Sequence, residues 1–461
     1  MRKKGKKMSR RTENSELFKT APISRAVIAL VAPTIISQVI TVIYNMADTF
    51  FIGQMNDPSQ VAAATLIMPI FMMLTGFANL FGIGGASFIS RSLGVGDRER
   101  ARRSASFSIW GSVLVGVAYG AAVYFSQPIL LPFIGADTAT YGYCGDYMLW
   151  TITVGGIPTI LSACLAHLVR AEGYAKEASI GIALGGIMNI ILDPVFIFGM
   201  GMGVSGAAIA TMLSNVISTV YFILLILKNR EITVIRFSPR HLTLKHGIPR
   251  EILLVGFPSF IMMLMGTVSN LCLNKVVVSY SNELIAGMGI AKKIDMLAFA
   301  VATGMTQGVL PLIAYNYGAG DRARMSAAIK TSFLYGLITS AVSTLLLFFA
   351  AAPVVRLFIN NAETVAYGEY FLKIICVPTP AVVAAMMIIT ILQATGKKTL
   401  PLFLSMLRKG LLDIPFMYLM NAAVGSMGIP WATAIADGLT LLISVAFFLP
   451  YLKRLRGEEI A

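Results

Sequence analysis

Apolar runs of about 20 residues recur along this chain from Val27 to Leu452, each long enough to cross the hydrocarbon core of a bilayer as an α-helix. The alternation of apolar and polar residues that marks membrane β-strands is absent, which disfavours a β-barrel. Only 13% of the 461 residues are charged and 56% are hydrophobic, whereas soluble domains carry about 25% charged residues. The sequence therefore predicts an all-α polytopic membrane protein.

Twelve spans fit both the apolar runs and the distribution of basic residues. The loops on one side of the runs contain 30 of the 37 lysine and arginine residues, whereas the loops on the other side contain only Arg356. Cytoplasmic loops carry an excess of Lys and Arg, so both termini are predicted to lie in the cytoplasm, which requires an even number of spans. The predicted spans are 26–53, 61–90, 104–126, 147–170, 176–200, 203–227, 250–280, 284–315, 326–349, 367–393, 399–421 and 427–452.

The net charge of +15 does not indicate a nucleic-acid partner, because the basic residues lie in short loops between the apolar runs. The first 25 residues form a predicted basic arm on the cytoplasmic side that contacts anionic membrane lipids. This arm lacks the short apolar region and cleavage site of a secretory signal.

The two halves of the chain resemble each other. The motif GVGDR at Gly94–Arg98 matches GAGDR at Gly318–Arg322, and LDPVF around Asp193 matches LDIPF around Asp413, with an offset of 220–224 residues. Each half contains six predicted spans and begins on the same side, which predicts two six-helix lobes related by a pseudo-two-fold axis along the membrane normal. The predicted domains are the arm 1–25, the N-lobe 26–227, the inter-lobe loop 228–249, the C-lobe 250–452 and the tail 453–461. Such repeats place a substrate path between the lobes.

Ionisable side chains within the spans are functional candidates, because a charge at the bilayer centre costs at least about 2.5–3.5 kcal/mol. Asp48 lies in the first span, and Asn189 and Asp193 share one face of the fifth span because they are four residues apart. Thr211 lies midway along the sixth span. Their oxygens suit a hard cation such as Na+, and two neighbouring acids equally suit a shared proton. The structural alternative is hydrogen bonding between helices.

The second half departs from this pattern. Lys409 stands at the position equivalent to Asn189 and four residues before Asp413, which predicts an ion pair on one helix face. Lys292 and Asp295 are three residues apart and are also predicted to pair. The alternative is that Lys292 or Lys293 lines a substrate cavity.

Pro33 lies in the first span, fifteen residues before Asp48. A proline inside a membrane helix frees a backbone carbonyl and bends the helix. We therefore predict a hinge at Pro33 that responds to the charge state of Asp48. The GVGDR and GAGDR turns each predict an acidic cap at the start of a helix.

These motifs resemble the prokaryotic branch of the multidrug and toxic compound extrusion (MATE) family over about residues 20–450. The resemblance is carried by APTIISQVITVIYNMADTFFIG in the first span, by GxGD after the second and eighth spans, and by RAEG after the fourth. It is most specific in NIILDP and GVSGAAIAT of the fifth and sixth spans.

The resemblance implies a V-shaped exporter of amphipathic organic cations and other drugs, driven by an inward H+ or Na+ gradient and needing no other cofactor. It assigns the coupling site for the proton or metal cation to Asp48, Asn189, Asp193, Thr211 and the backbone near Ala207. The further candidates for the substrate cavity or its gate are Tyr44, Asn45, Pro33, Lys292, Asp295 and Asp413. The protein is expected to act as a monomer in the plasma membrane of a prokaryote.

Two other functions compete with this one. A flippase for lipid-linked oligosaccharides would share the two-lobed plan, and Lys275, Lys292, Lys293 and Lys409 supply cations for a pyrophosphate. An intramembrane enzyme is disfavoured because the sequence shows no histidine cluster, no metal-ligand spacing and no placed Ser–His pair.

Overall fold

The computed structural model describes residues 16–55, 57–245 and 247–456, and these residues form helices joined by short turns, without a β-strand. Their boundaries follow the predicted spans closely, as expected when the length of an apolar run sets the length of a helix. We label the membrane helices α1 (Ile23–Gly53), α2 (Pro58–Val95), α3 (Arg98–Phe133), α4 (Tyr141–Val154 and Gly156–Ala171), α5 (Ala175–Gly199), α6 (Gly203–Lys228), α7 (Ile248–Val277), α8 (Asn282–Gly318), α9 (Arg322–Phe349), α10 (Ala362–Cys376 and Thr379–Ala394), α11 (Thr399–Met406, Leu407–Leu412 and Asp413–Val424) and α12 (Ile429–Arg456).

The number of spans is consistent with the predicted twelve. Within the described residues, nine apolar helical segments are long enough to cross a membrane, and the pairs bent by 46° in α4 and 42° in α10 raise the number to 11. One of the nine segments runs from Thr399 to Leu455. A straight helix of its 57 residues would be roughly 86 Å long, far beyond a bilayer core. It breaks at Gly425–Gly428, and α11 packs against α12.

Three membrane helices contain π-helical turns that the sequence did not predict: Leu149–Val154 in α4, Val195–Gly199 in α5 and Leu407–Leu412 in α11. Such turns insert an extra residue and are frequent at functional sites. The turn in α5 follows directly after Asp193 and Pro194. A short helix at Ala351–Arg356 and a 3-10 turn at Pro239–His241 were also not predicted.

The predicted acidic caps are confirmed at equivalent places in the two halves. Asp97 accepts a hydrogen bond from the backbone N–H of Arg100 at 2.9 Å, and Asp321 accepts one from Arg324 at 2.8 Å. Gly96 precedes the first cap with a φ of 90°, a left-handed conformation that favours glycine. These caps satisfy N–H groups that the first turns of α3 and α9 leave unpaired.

The two lobes meet through their first two helices. α1 packs against α8, α2 packs against α7, and α2 also packs against α8, so the interface obeys the pseudo-two-fold symmetry. A Cβ on Gly256 of α7 would overlap the carbonyl oxygen of Leu80 in α2, and a Cβ on Gly304 of α8 would lie 2.5 Å from the Cα of Ile35 in α1. The helices therefore approach backbone to backbone, which glycine permits.

Among the described residues, hydrogen bonds and two ion pairs, from Arg91 and Arg100 to Glu251, also connect the lobes. We call the ends of the helices that adjoin the lysine- and arginine-rich loops the basic end. There, Nη1 of Arg91 lies 2.6 Å from a carboxylate oxygen of Glu251. Gln307 receives hydrogen bonds from Gln38 at 2.7 Å and from Arg170 at 3.4 Å. In the described part of the chain, polar contacts between the lobes run from the basic end to the middle of the helices and no further.

Part of the predicted inter-lobe loop packs on the first lobe. Val234 and Ile235 are fully buried. The carboxylate of Glu172, just after α4, accepts hydrogen bonds from the N–H of Val234 at 2.5 Å and from the hydroxyl of Thr233. Burial raises the pKa of Glu172 despite these two hydrogen bonds, which act in the opposite direction. The loop is thus anchored to the N-lobe side, although the domain boundaries themselves stay predictions.

The end of the predicted N-terminal arm contacts the second lobe. Phe18 is buried and stacks on Tyr315 with ring centroids 5.0 Å apart. The guanidinium of Arg324 donates hydrogen bonds to the carbonyl oxygens of Leu17, Phe18 and Ala21. Residues 1–15, which carry most of the predicted basic arm, lie outside the described residues.

Candidate functional site

The polar residues predicted in the fifth and sixth spans converge inside the first lobe. Asn189 and Asp193 lie one turn apart on α5 and are buried, with 1% and 0% exposure. The Nδ2 atom of Asn189 donates to Asp193 Oδ1 at 3.1 Å and to Thr211 Oγ1 of α6 at 3.4 Å. The i, i+4 spacing thus places an amide and a carboxylate on the face of α5 that meets α6.

Asp48 joins this group from α1. Its carboxylate lies close enough to Asp193 for the two to interact electrostatically. Tyr44, one turn earlier on α1, packs on Gly186 of α5, where a Cβ would lie 2.7 Å from the tyrosine ring. Glycine at that position therefore allows α1 to approach the buried acid.

Three oxygens of this group have no hydrogen-bond partner among the described residues: Asp48 Oδ1, Asn189 Oδ1 and Asp193 Oδ2. A buried acceptor without a partner costs about 1–3 kcal/mol, and a charged one costs more. All three atoms are acceptors, so they can be satisfied by a proton on a carboxylate or by a hard cation, but not by an anion. The geometry fits H+ and Na+ equally.

A cavity of about 50 Å³ adjoins the group and offers room for a few water molecules. Sequence reasoning missed most of its lining. Its polar side chains on α6 repeat at helical spacing from Thr211 through Ser214 and Asn215 to Ser218, and this stripe is the signal that could have revealed it. The lining residues are Tyr44, Ser162, Ile182, Gly185, Gly186, Asn189, Thr211, Ser214, Asn215 and Ser218.

Other predicted residues contribute less directly. Ala207 is fully buried one turn before Thr211 on α6, whereas Asn45 is half-buried and its side chain makes no hydrogen bond to the described residues. α1 continues as one helix through Pro33. This conformation therefore shows no break in the helix at Pro33, and the hinge stays a prediction. Tyr147 of α4, which the sequence did not indicate, is buried within electrostatic reach of Asp48 and Asp193.

The second lobe carries ion pairs at the equivalent place, although Asp413 Oδ1 has no hydrogen-bond partner among the described residues. The predicted pair is confirmed, with Lys409 Nζ 3.2 Å from Asp413 Oδ2, and the same oxygen accepts from Ser269 at 2.6 Å. The predicted pair between Lys292 and Asp295 is wrong. A lysine three residues before an acid is the less favourable order on a helix, and the ammonium instead bonds to an amide on α7.

Two helical lobes that meet at one end and hold a cluster of buried oxygens between the helices of one lobe define a membrane transporter. A sequence profile of the MatE family matches residues 33–195 and 258–419, once in each half of the chain. The chain belongs to the MatE family, whose members are transporters and not enzymes.

Curated relatives cover almost the whole chain. The multidrug export protein MepA of Staphylococcus saprophyticus is 31% identical over 437 residues, which are 95% of this chain and 95% of that protein. MepA of Staphylococcus haemolyticus is 30% identical over 440 residues, which are 95% of this chain and 96% of that protein.

Solved structures share the fold. A crystal structure of MATE in complex with MaL6 superposes with a TM-score of 0.90 at 24% identity, covering 96% of this chain and 99% of that one. An outward-facing multidrug resistance MATE family transporter of the MOP superfamily also gives 0.90 at 24% identity, covering 96% and 98%. At this identity the likeness establishes the all-helical, two-lobed fold.

Proposed function

We propose that the protein is a multidrug efflux antiporter that exports amphipathic and cationic organic compounds in exchange for H+ or Na+. Relatives of full length are multidrug export proteins. The concentration of lysine and arginine on one side favours a plasma-membrane orientation with both termini in the cytoplasm. We also expect the protein to act as a monomer.

The three buried oxygens without partners carry this proposal. When Asp48 and Asp193 are both ionised, the site attracts a cation into a part of the membrane where unpaired charge is costly. Loading with H+ or Na+ removes that cost and weakens the attraction for a cationic drug. Exchange follows if the ion and the drug favour different states of the same site.

The contacts at the basic end support a conformation closed to the cytoplasm. Inward opening would require separation of Arg91 from Glu251 and of Arg170 from Gln307. Ion binding near Asp48 acts on α1, which packs on α8, so α1 connects the ion site to the lobe interface. Rocking of the lobes about this interface would give alternating access.

Efflux from proteoliposomes tests the proposal. A fluorescent lipophilic cation is loaded, and pH and Na+ gradients are imposed separately on the wild type, Asp193→Asn and the control Asp146→Asn. Asp146 is exposed near the start of α4 and takes no part in the hydrogen bonds of the cluster, so the control removes a nearby acid that does not belong to the cluster. We expect one gradient to drive efflux in the wild type and in the control, and neither to do so in Asp193→Asn.

Gradient-driven efflux by Asp193→Asn at the wild-type rate would contradict the proposal. Absence of export by correctly folded wild type under both gradients would favour the lipid-linked oligosaccharide flippase. The second lobe gives less support to the flippase function, because Lys409 already forms an ion pair with Asp413 that binding to a pyrophosphate would have to break.

A further inference from the structure

Six charged side chains lie together inside the second lobe, apart from the proposed ion site. They comprise three bases and three acids and come from α8, α11 and α12: Lys292, Asp295, Arg408, Lys409, Asp413 and Asp437. Charges within membrane helices are costly and mark functional positions by default. The repeat places Lys409 where the first lobe has Asn189, so the second lobe differs in charge from the first.

Four of these charges neutralise each other. Nε of Arg408 lies 2.7 Å from Asp437 Oδ1, and both side chains are 5% exposed. Lys409 pairs with Asp413 at 3.2 Å. Among the described residues, these pairs leave Lys292 and Asp295, both on α8, without an ion pair.

The ammonium of Lys292 has no acidic partner. It donates to the neutral side-chain oxygen of Asn270 at 3.0 Å, and within the described ranges no carboxylate oxygen lies within 4.0 Å of it. It also lies within electrostatic reach of one base, Lys409, and of two acids, Asp413 and Asp295. An ammonium whose one hydrogen bond goes to a neutral amide oxygen has two donor positions left for an anionic ligand.

Lys292 lies on a partly exposed side of α8. Gln307 of the same stripe bonds to Gln38 of α1 across the interface. Farther from the basic end, this stripe continues through Phe299 and Met296, which are 39% and 42% exposed, to Lys292. The spacings of 4, 3 and 8 residues keep these side chains on one broad face, so the ammonium adjoins an exposed apolar surface that continues from the lobe interface at Gln307.

On the basis of the proposed export function, we propose that Lys292 binds the carboxylate of an amphipathic substrate whose apolar part contacts Met296 and Phe299. The protein would then take organic acids and zwitterions as well as cations. Lys292 would hold the carboxylate by a charge-assisted hydrogen bond, which is stronger than its present bond to an amide.

Equilibrium binding of a matched pair of probes tests this assignment. Dansyl-phenylalanine and its methyl ester share one apolar body, and only the first carries a carboxylate. Fluorescence anisotropy is measured with purified wild type, Lys292→Met, Lys292→Arg and Lys293→Met. Lys293 is an exposed neighbour about 100° around the helix, so its substitution controls for loss of one lysine.

We expect the wild type and Lys293→Met to bind the acid about tenfold to a hundredfold more tightly than the ester, as one hydrogen bond to a charged group gives. Lys292→Met should bind both probes equally, and Lys292→Arg should keep the preference. Equal binding of acid and ester by the wild type, or an unchanged preference in Lys292→Met, would overturn the assignment.

Two further measurements are needed. Displacement by lipids distinguishes a bound lipid from a bound substrate, and binding of a lipophilic cation distinguishes a folded variant from an unfolded one. Displacement of the acid by phosphatidylglycerol but not by phosphatidylcholine would show that a lipid phosphate occupies the site, and would overturn its assignment to a substrate carboxylate. Binding of a lipophilic cation with wild-type affinity shows that each variant is folded. Because these titrations use no ion gradient, their failure contradicts the carboxylate site alone, whereas failure of gradient-driven efflux contradicts the antiport function.

Discussion

The contact between α2 and α7 predicts how a single methyl group would shift the balance between conformations. In Gly256→Ala the new Cβ would overlap the carbonyl oxygen of Leu80, and a backbone atom cannot move aside as a side chain can. Overpacking of this kind costs about 1–3 kcal/mol. The better helix propensity of alanine returns about 0.5–1 kcal/mol. That return counts against unfolding, so the net loss of stability should be about 1–2 kcal/mol. Because α7 is helical in every folded conformation, the clash alone should disfavour the conformation joined at the basic end, on the order of tenfold in population.

Gly266→Ala provides a matched control on the same helix. Nothing lies within 4 Å of a Cβ at Gly266, so this variant should gain the helix propensity without the clash. Thermal unfolding of the purified proteins should show a lower midpoint for Gly256→Ala and an equal or higher midpoint for Gly266→Ala.

Spin labels measure the separation of the lobes directly. Lys228 and Arg322 are exposed at the basic end, one in each lobe, and both can be replaced by cysteine in a Cys272→Ser background. Electron–electron double resonance should show a larger long-distance population in Gly256→Ala and no change in Gly266→Ala. Identical distance distributions and unfolding midpoints in the two variants would refute the role of this glycine contact.

Two further predictions concern single contacts. Arg408→Met should lower the free energy of unfolding by about 3–5 kcal/mol because it leaves Asp437 buried without its partner, and Arg408→Met combined with Asp437→Leu should recover part of that loss in denaturant titrations. Arg324→Gln should release the segment that includes Phe18, so that chymotrypsin cleaves there faster than in wild type. Arg322→Gln, an exposed neighbour, should leave the cleavage rate unchanged, and equal rates in both variants would refute the contact.

The sequence predicts the spans and the buried polar cluster of the first lobe for physical reasons. Apolar runs must match the thickness of the bilayer, so their lengths set the helices. An acid within such a run is costly, and an amide four residues before it must share its helix face. The structure confirms that Asn189 and Asp193 share one buried face, and the contact of Asn189 with Thr211 follows from the packing of α5 on α6.

Other features depend on packing that one chain's sequence does not reveal. Ser214 lines the cavity but donates its own hydrogen bond to the carbonyl of Ala210 at 2.7 Å, as serine also does in ordinary membrane helices. The pairing of Lys292 was predicted wrongly because Asn270 comes from a helix distant in sequence. Each π-helical turn contains one inserted residue. The pattern of apolar residues in the sequence does not indicate where that residue is inserted.

The most direct test of coupling between ion and substrate is to measure whether binding of the substrate displaces the ion. Lipophilic cation is added to purified protein without a gradient, and released protons are followed with a pH indicator, or released ²²Na+ is counted, for wild type, Asp193→Asn and Asp146→Asn. We predict that the wild type and Asp146→Asn release one of these ions as they bind the cation, whereas Asp193→Asn binds it without this release. Equal release from all three proteins would contradict the assignment of the coupling site to Asp48, Asn189, Asp193 and Thr211.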